Sequence, residues 1–167
     1  NVDEEELLSP RDWSGKTLGR FMLSFGPISS LFDIVTFVFL YYFLCPMLCG
    51  GATYLQLTDS AMRLQYVTIF QTGWFLESMW TQVLILHFLR TRKLPFVQSK
   101  PSAPVVLITL AGIVAFTALT FTKAAALFGL TEMPPWYFAF LLAVVLLYMI
   151  LTTVIKGFYQ KRYRELI

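Results

Sequence analysis

Residues 21–44 read FMLSFGPISSLFDIVTFVFLYYFL, and Asp33 is the only charged side chain in the run. As an α-helix the stretch is about 36 Å long, enough to cross the hydrocarbon of a bilayer with tilt to spare. The segment before it is mostly polar and begins with an acidic cluster, Asp3 to Glu6. No small-residue cleavage site accompanies the run, so it reads as a membrane span rather than a signal peptide. Gly26-Pro27 falls inside it. Proline lacks an amide donor and crowds the preceding turn, which predicts a kink or short break there. In a bilayer such a break survives where protein or water satisfies the freed carbonyls.

The composition extends this reading to the whole chain. Of 167 residues, 57% are hydrophobic and only 14% are charged, against about 25% charged in a typical soluble domain. Mean hydropathy is +0.65. Three more apolar runs follow, giving an all-α, polytopic membrane protein with four transmembrane helices at about 21–44, 67–89, 104–121 and 136–156. Residues 1–20 form a cytoplasmic lead-in and 21–167 the four-helix transmembrane domain. Residues 45–66, with Pro46, Gly50, Gly51, Asp59 and Arg63, read as an external loop. Lys123 to Pro135 read as a second, shorter one.

Orientation comes from the positive charges. Arg11, Lys16 and Arg20 precede the first span, Arg90, Arg92, Lys93 and Lys100 lie between the second and third, and Lys156, Lys161, Arg162 and Arg164 close the chain. Only Arg63 and Lys123 fall in the other two connections. Cytoplasmic loops are enriched in Lys and Arg, so both termini are expected in the cytoplasm. Because the basic residues flank apolar runs instead of sharing one soluble face, no nucleic acid partner is expected. The expected surroundings are a lipid bilayer.

Ionisable residues inside a membrane are expensive and mark functional candidates. Asp33 in the first span and Glu77 in the second each lie thirteen residues from a basic edge residue, Arg20 and Arg90. Both are thus about 20 Å from the cytoplasmic edge. Gly26, Ser29, Ser30 and Asp33 share one helical face, and Glu77, Ser78, Thr81 and Gln82 form a stripe that Trp74 joins. Such oxygens suit a hard cation, as its site or the shell around it. They equally suit hydrogen bonds between membrane helices. His87 reads as an interfacial side chain. Cys45 and Cys49, four apart, read as two apolar residues on one helical face, poorly placed for a disulfide. The sequence contains no phosphate-binding glycine loop, nucleophile elbow or H-E-x-x-H motif, which excludes nucleotide chemistry within these residues. An embedded enzyme built on Asp33 and Glu77 would lack a nucleophile or metal set.

Several of these stretches resemble a known family. They are Arg20-Phe21-Met22, F-G-P-I-S-S-L-F-D-I-V-T-F at 25–37, F-Q-T-G-W-F-L-E at 70–77, T-Q-V-L-I-L-H-F-L-R-T-R-K-L-P-F-V-Q-S-K at 81–100 and W-Y-F at 136–138. In order and spacing they are similar to the last four membrane helices of magnesium-transporting P-type ATPases, the seventh to the tenth. That resemblance implies the C-terminal part of a bacterial inner-membrane (plasma membrane) pump that imports Mg²⁺ as its transported ion, driven by ATP. The phosphorylated aspartate of D-K-T-G-T, the nucleotide domain and the other membrane helices of such a pump would be the partners of this stretch, which would not hydrolyse ATP by itself. In related sodium and calcium pumps the eighth helix lends an oxygen ligand to a cation site, and Gln82 falls at that place. Ile85 stands where the sodium pump has an acid, which argues against a full sodium-type third site. Asp33 and Glu77 belong to the magnesium-type pattern. Asp33, Glu77 and Gln82 are therefore the candidate metal or cation-pathway residues. The alternative is a free-standing four-helix channel or assembly subunit.

Overall fold

The computed structural model describes residues 15–89 and 101–163. Most of the expected lead-in, the basic cluster after the second span and the final basic residue Arg164 lie outside the described residues. Among the described residues all regular structure is helical. Helix α1 runs Gly15–Phe39 and continues through a π-helical turn, Leu40–Leu44, into the short α2, Cys45–Leu48. Helix α3 is Ser60–Leu89, α4 is Ala103–Leu119 and α5 is Pro135–Tyr163, with a 3₁₀ turn at Lys123–Phe128 between the last two. Two stretches, Leu18–Leu48 and Pro135–Arg162, are long and apolar enough to cross a membrane, and α4 is a shorter apolar helix.

Each helix begins ahead of the apolar run that announced it. Thus α3 begins seven residues ahead of the expected span, inside what reads as an external loop. Asp59 explains the early start: its Oδ1 accepts the Ala61 N–H at 3.1 Å, and its carbonyl accepts the Arg63 N–H at 3.1 Å. A side-chain acceptor at the N-cap supplies one of the bonds that a helix start otherwise lacks. The loop is correspondingly short and turns on Gly50 and Gly51, whose φ of +76° and +86° suit glycine.

The break in the hydrogen-bond ladder, one of the two outcomes expected at Pro27, falls at a different proline. Helix α1 passes through Pro27 without interruption. The residue before it is Gly26, which has no Cβ to clash with the proline ring. The ladder slips instead just ahead of Pro46. There the Cys45 N–H reaches back to Leu40 O, five residues away. The Cys45 N–H, which in an α-helix would serve Tyr41 O, is thereby diverted, and Pro46, next in the slipped register, has no N–H to replace it. The Tyr66 hydroxyl of α3 donates to Tyr41 O instead, a repair of the kind that membrane interiors demand. Tyr66→Phe should therefore lower stability in detergent by about 1–3 kcal/mol, the penalty of an unsatisfied buried acceptor. Tyr42→Phe, at an exposed position, should leave the melting temperature unchanged.

Helix α3 is the central element: it packs on α1, α4 and α5, and α1 also packs on α5. Close approach of α1 and α3 depends on Gly73, where an added Cβ would stand 2.5 Å from Leu40 Cδ2. Tyr137 of α5, fully buried, donates its hydroxyl to Gly73 O at 2.7 Å. One core gathers here around Leu40, Leu44, Leu76 and Leu141, together with both cysteines, which are free and buried. A second core lies toward the other end, where Phe25, Phe32, Tyr148 and Tyr159 join α1 to α5. Helix α4 buries no residue fully. It is held by polar contacts to α3: Trp80 Nε1–H to Thr117 Oγ1 at 3.1 Å, and His87 Nε2 beside Thr109 Oγ1 at 3.1 Å. His87 is thus buried between two helices. Without a water-driven force between membrane helices, such packing and hydrogen bonds are what hold them together.

Candidate functional site

Asp33 and Glu77 meet. Helices α1 and α3 run antiparallel, and Leu40 against Gly73 fixes their register. Counting back one turn on α1 and forward one turn on α3 puts Thr36 level with Glu77, with Asp33 a turn below. The carboxyl groups of Asp33 and Glu77 come within hydrogen-bonding reach of each other. Glu77 is buried, with 1% of its surface exposed, and Asp33 is half-buried.

Three helices enclose the pair. On α3, Thr81 lies within reach of the Glu77 carboxyl and donates its hydroxyl to the Glu77 carbonyl at 2.9 Å. From α5 comes Tyr148, whose hydroxyl lies beside Ser29 and Thr152 and whose electrostatic neighbours include both acids. Thr36 contributes from α1. Glu77 Oε2 and Thr36 Oγ1 are buried and have no hydrogen-bond partner among the described residues. Unpaired buried oxygens are uncommon. This is accordingly the point in the bundle where added polarity, from a water, a proton or a cation, has the most to satisfy.

Gln82 is not part of this cluster. It lies five residues past Glu77, about 140° around the helix, and is exposed. The structure therefore divides the three candidates: Glu77 is buried, Asp33 is half-buried beside it and the amide faces out. Sequence reading missed Thr36, Tyr148 and Thr152. Tyr148 and Thr152, four apart in the last span, carried the same kind of signal as the first two helices, polar groups on one helical face. Lys156, one turn beyond Thr152, is buried rather than solvated at the membrane edge. Among the described residues, no three His, Cys, Asp or Glu side chains assemble as a metal set. A hard cation here would draw on two carboxylates and the neighbouring hydroxyls.

Residues 7–158 match the family of the C-terminus of cation transporting ATPases. The chain belongs to that family. It is 40% identical over 163 residues to the magnesium-transporting ATPase, P-type 1, of Salmonella typhimurium strain LT2. It is 39% identical over 163 residues to the protein of the same name from Escherichia coli K12. Each match covers 98% of this chain and 16% of the relative. This cation-ATPase C-terminal unit thus occupies a small part of the curated proteins that it matches. Helices α1 and α3 carry the acid pair and α5 lines it, while α4 stands outside it.

Proposed function

We propose that this chain is the C-terminal membrane domain of a P-type pump that imports Mg²⁺ across a bacterial inner membrane, driven by ATP. The observation that carries the reading is 40% identity over nearly the whole chain to magnesium-transporting ATPases. The domain crosses the bilayer four times, through α1, α3, α4 and α5, with both ends of the unit in the cytoplasm. The Lys and Arg distribution supports that orientation, and α3 at thirty residues is long enough to span. Residues 1–20 form a lead-in on the cytoplasmic side, and 21–167 form the domain itself. ATP hydrolysis is the work of other domains of the pump. The four helices brace the transport helices, and Asp33, Glu77 and Gln82 supply polar surroundings to the cation pathway.

The test is uptake by the complete protein in sealed proteoliposomes. ATP-dependent accumulation of Mg²⁺, abolished by a phosphate-analogue inhibitor of P-type pumps, is expected. Flux that ignores ATP would favour a four-helix channel and overturn the reading. Topology is checked on the same protein with a membrane-impermeant reagent. A cysteine placed at Lys123 should react from outside and one at Lys161 only from the cytoplasmic side.

A further inference from the structure

Two sulfur atoms sit where the π-helical turn ends. Cys45 opens α2 and Cys49 caps it, and the Cys49 N–H closes a full α-turn on Cys45 O at 2.9 Å. The backbone thus stacks the two side chains one above the other. Both face α3. The Cys45 thiol donates to Tyr66 O at 3.7 Å, and each thiol is an electrostatic neighbour of the Tyr66 side chain. They are also neighbours of each other. Both are free, and they are 0% and 3% exposed.

This spacing separates two chemistries. A disulfide needs Cβ atoms about 3.5–4.5 Å apart, whereas residues one helical turn apart hold them about 5–6 Å apart. The pair cannot close an S–S bond unless the turn unwinds. A metal ion between the sulfurs needs a longer span. Two thiolate–metal bonds of about 2.3 Å each hold the sulfurs about 4.6 Å apart, a distance that side chains on one helical face reach in staggered rotamers.

The surroundings choose the metal. Mg²⁺ takes oxygen ligands and gives up its waters reluctantly, so two sulfurs do not suit it. Thiolates select soft ions. Among the described residues no third His, Cys, Asp or Glu side chain joins the pair. Zinc, which takes four ligands in a structural site, would be left incomplete, whereas an ion content with two thiolates would not. Charge narrows the choice further. Two thiolates around a divalent ion form a neutral unit, the state that costs least to bury among Leu44, Leu57 and Tyr66. A monovalent ion would leave a net negative charge in that core. A way in exists. Leu48, the residue before Cys49, lines a pocket of about 450 Å³ that it shares with the thioether of Met133, and the Gly50-Gly51 turn that follows Cys49 is exposed.

We propose that Cys45 and Cys49 form a binding site for a soft, two-coordinate divalent metal ion of the mercury(II) type. One Hg²⁺ bridges the two sulfurs, both S–H bonds break, and two protons leave to solvent with no electron transferred. The site is separate from the acid pair, since Cys45 lies nine residues beyond Thr36, about 13 Å of helical rise.

The experiment loads the complete pump in detergent with excess HgCl₂ and washes it with glutathione, a competing monothiol. Digestion and mass spectrometry then read the peptide that carries residues 45–49. One Hg on that peptide is expected, at the mass of one Hg gained and two hydrogens lost. Two-point attachment strengthens binding by about 10²–10⁴-fold over one point, so Cys45→Ala and Cys49→Ala should each release the metal at about a hundredth of the glutathione concentration. Zn²⁺ in place of Hg²⁺ should wash off the unmodified pump. Two Hg on the peptide, one for each sulfur, would overturn the inference, as would a peptide that carries none. Equal release from the alanine variants would overturn it too, and Zn²⁺ retained as firmly as Hg²⁺ would remove the two-coordinate assignment. The count on the unmodified pump decides the matter even where a variant fails to fold.

Discussion

Gly73→Ala lowers the melting temperature of the bundle in detergent, and Leu40→Ala in the same molecule returns part of the loss. The added methyl carbon would stand 2.5, 3.0 and 3.3 Å from Leu40 Cδ2, Cδ1 and Cγ, closer than carbon atoms pack. Leu40 is fully buried, so its end has little room to swing. Helix α3 must shift away, and the shift stretches the 2.7 Å bond from the Tyr137 hydroxyl to Gly73 O. Overpacking of this kind costs about 1–3 kcal/mol. Leu40→Ala alone opens a cavity at the same place and costs about 2–5 kcal/mol. In the double variant the methyl added at position 73 occupies part of that cavity, so the two losses do not add. A coupling of about 0.5–3 kcal/mol is expected for residues in direct contact. Strict additivity in a double-mutant cycle would mean that α1 and α3 do not meet at this pair. The register that puts Thr36 level with Glu77 would then go with it.

That register was only half legible in the sequence. Hydropathy and charge located the four helices, since a run such as 21–44 has few other ways to satisfy its backbone in lipid. The spacing of Asp33 and Glu77 to Arg20 and Arg90 suggested one depth, and the register of Leu40 on Gly73 puts them about a turn apart. Their meeting was not readable, because it depends on the contact of Leu40 with Gly73, a fact about two helices and not about either one. Pro27 and Pro46 show the same limit. Both are prolines near helical residues, and the local rule treats them alike. The residue before each decides the outcome, Gly26 relieving one clash, and so does a distant donor, Tyr66, available at Tyr41 but announced by nothing nearby. Helix ends were misplaced for a different reason. Apolar runs mark where lipid is, whereas caps such as Asp59 mark where the hydrogen-bond ladder begins, and the two need not coincide. The third polar contributor to the site, Tyr148 with Thr152, was visible as a pair four apart. Without an acid beside it, it gave no sign of facing the other two helices.

Whether the acid pair serves the ion or only the helices is decided by Glu77→Gln. The pump reading requires the carboxylate, so in the complete pump Glu77→Ala and Glu77→Gln should both slow Mg²⁺ uptake about ten-fold. That is the rate equivalent of about 1.4 kcal/mol, within the range for losing a hydrogen bond to a charged group. Ile108→Ala, on the exposed face of α4, should stay within about two-fold, as surface changes away from special features usually do. Stability separates the two Glu77 variants where transport does not. The glutamine keeps the size of the side chain and an oxygen and a nitrogen to bond Asp33 and Thr81, so its melting temperature should stay near that of the parent protein. The alanine leaves a void beside Asp33, and melting should fall. A pair that merely joined α1 to α3 would give the opposite pattern, with glutamine restoring uptake along with stability. Glu77 is buried among α1, α3 and α5, whereas Gln82 faces outward. Kinetics then separate a carboxylate that acts on the ion through its field from one that ligates it directly. A field effect should appear in the rate of uptake at saturating Mg²⁺ as well as in the concentration needed for half-maximal rate, whereas loss of a ground-state ligand would move chiefly the latter.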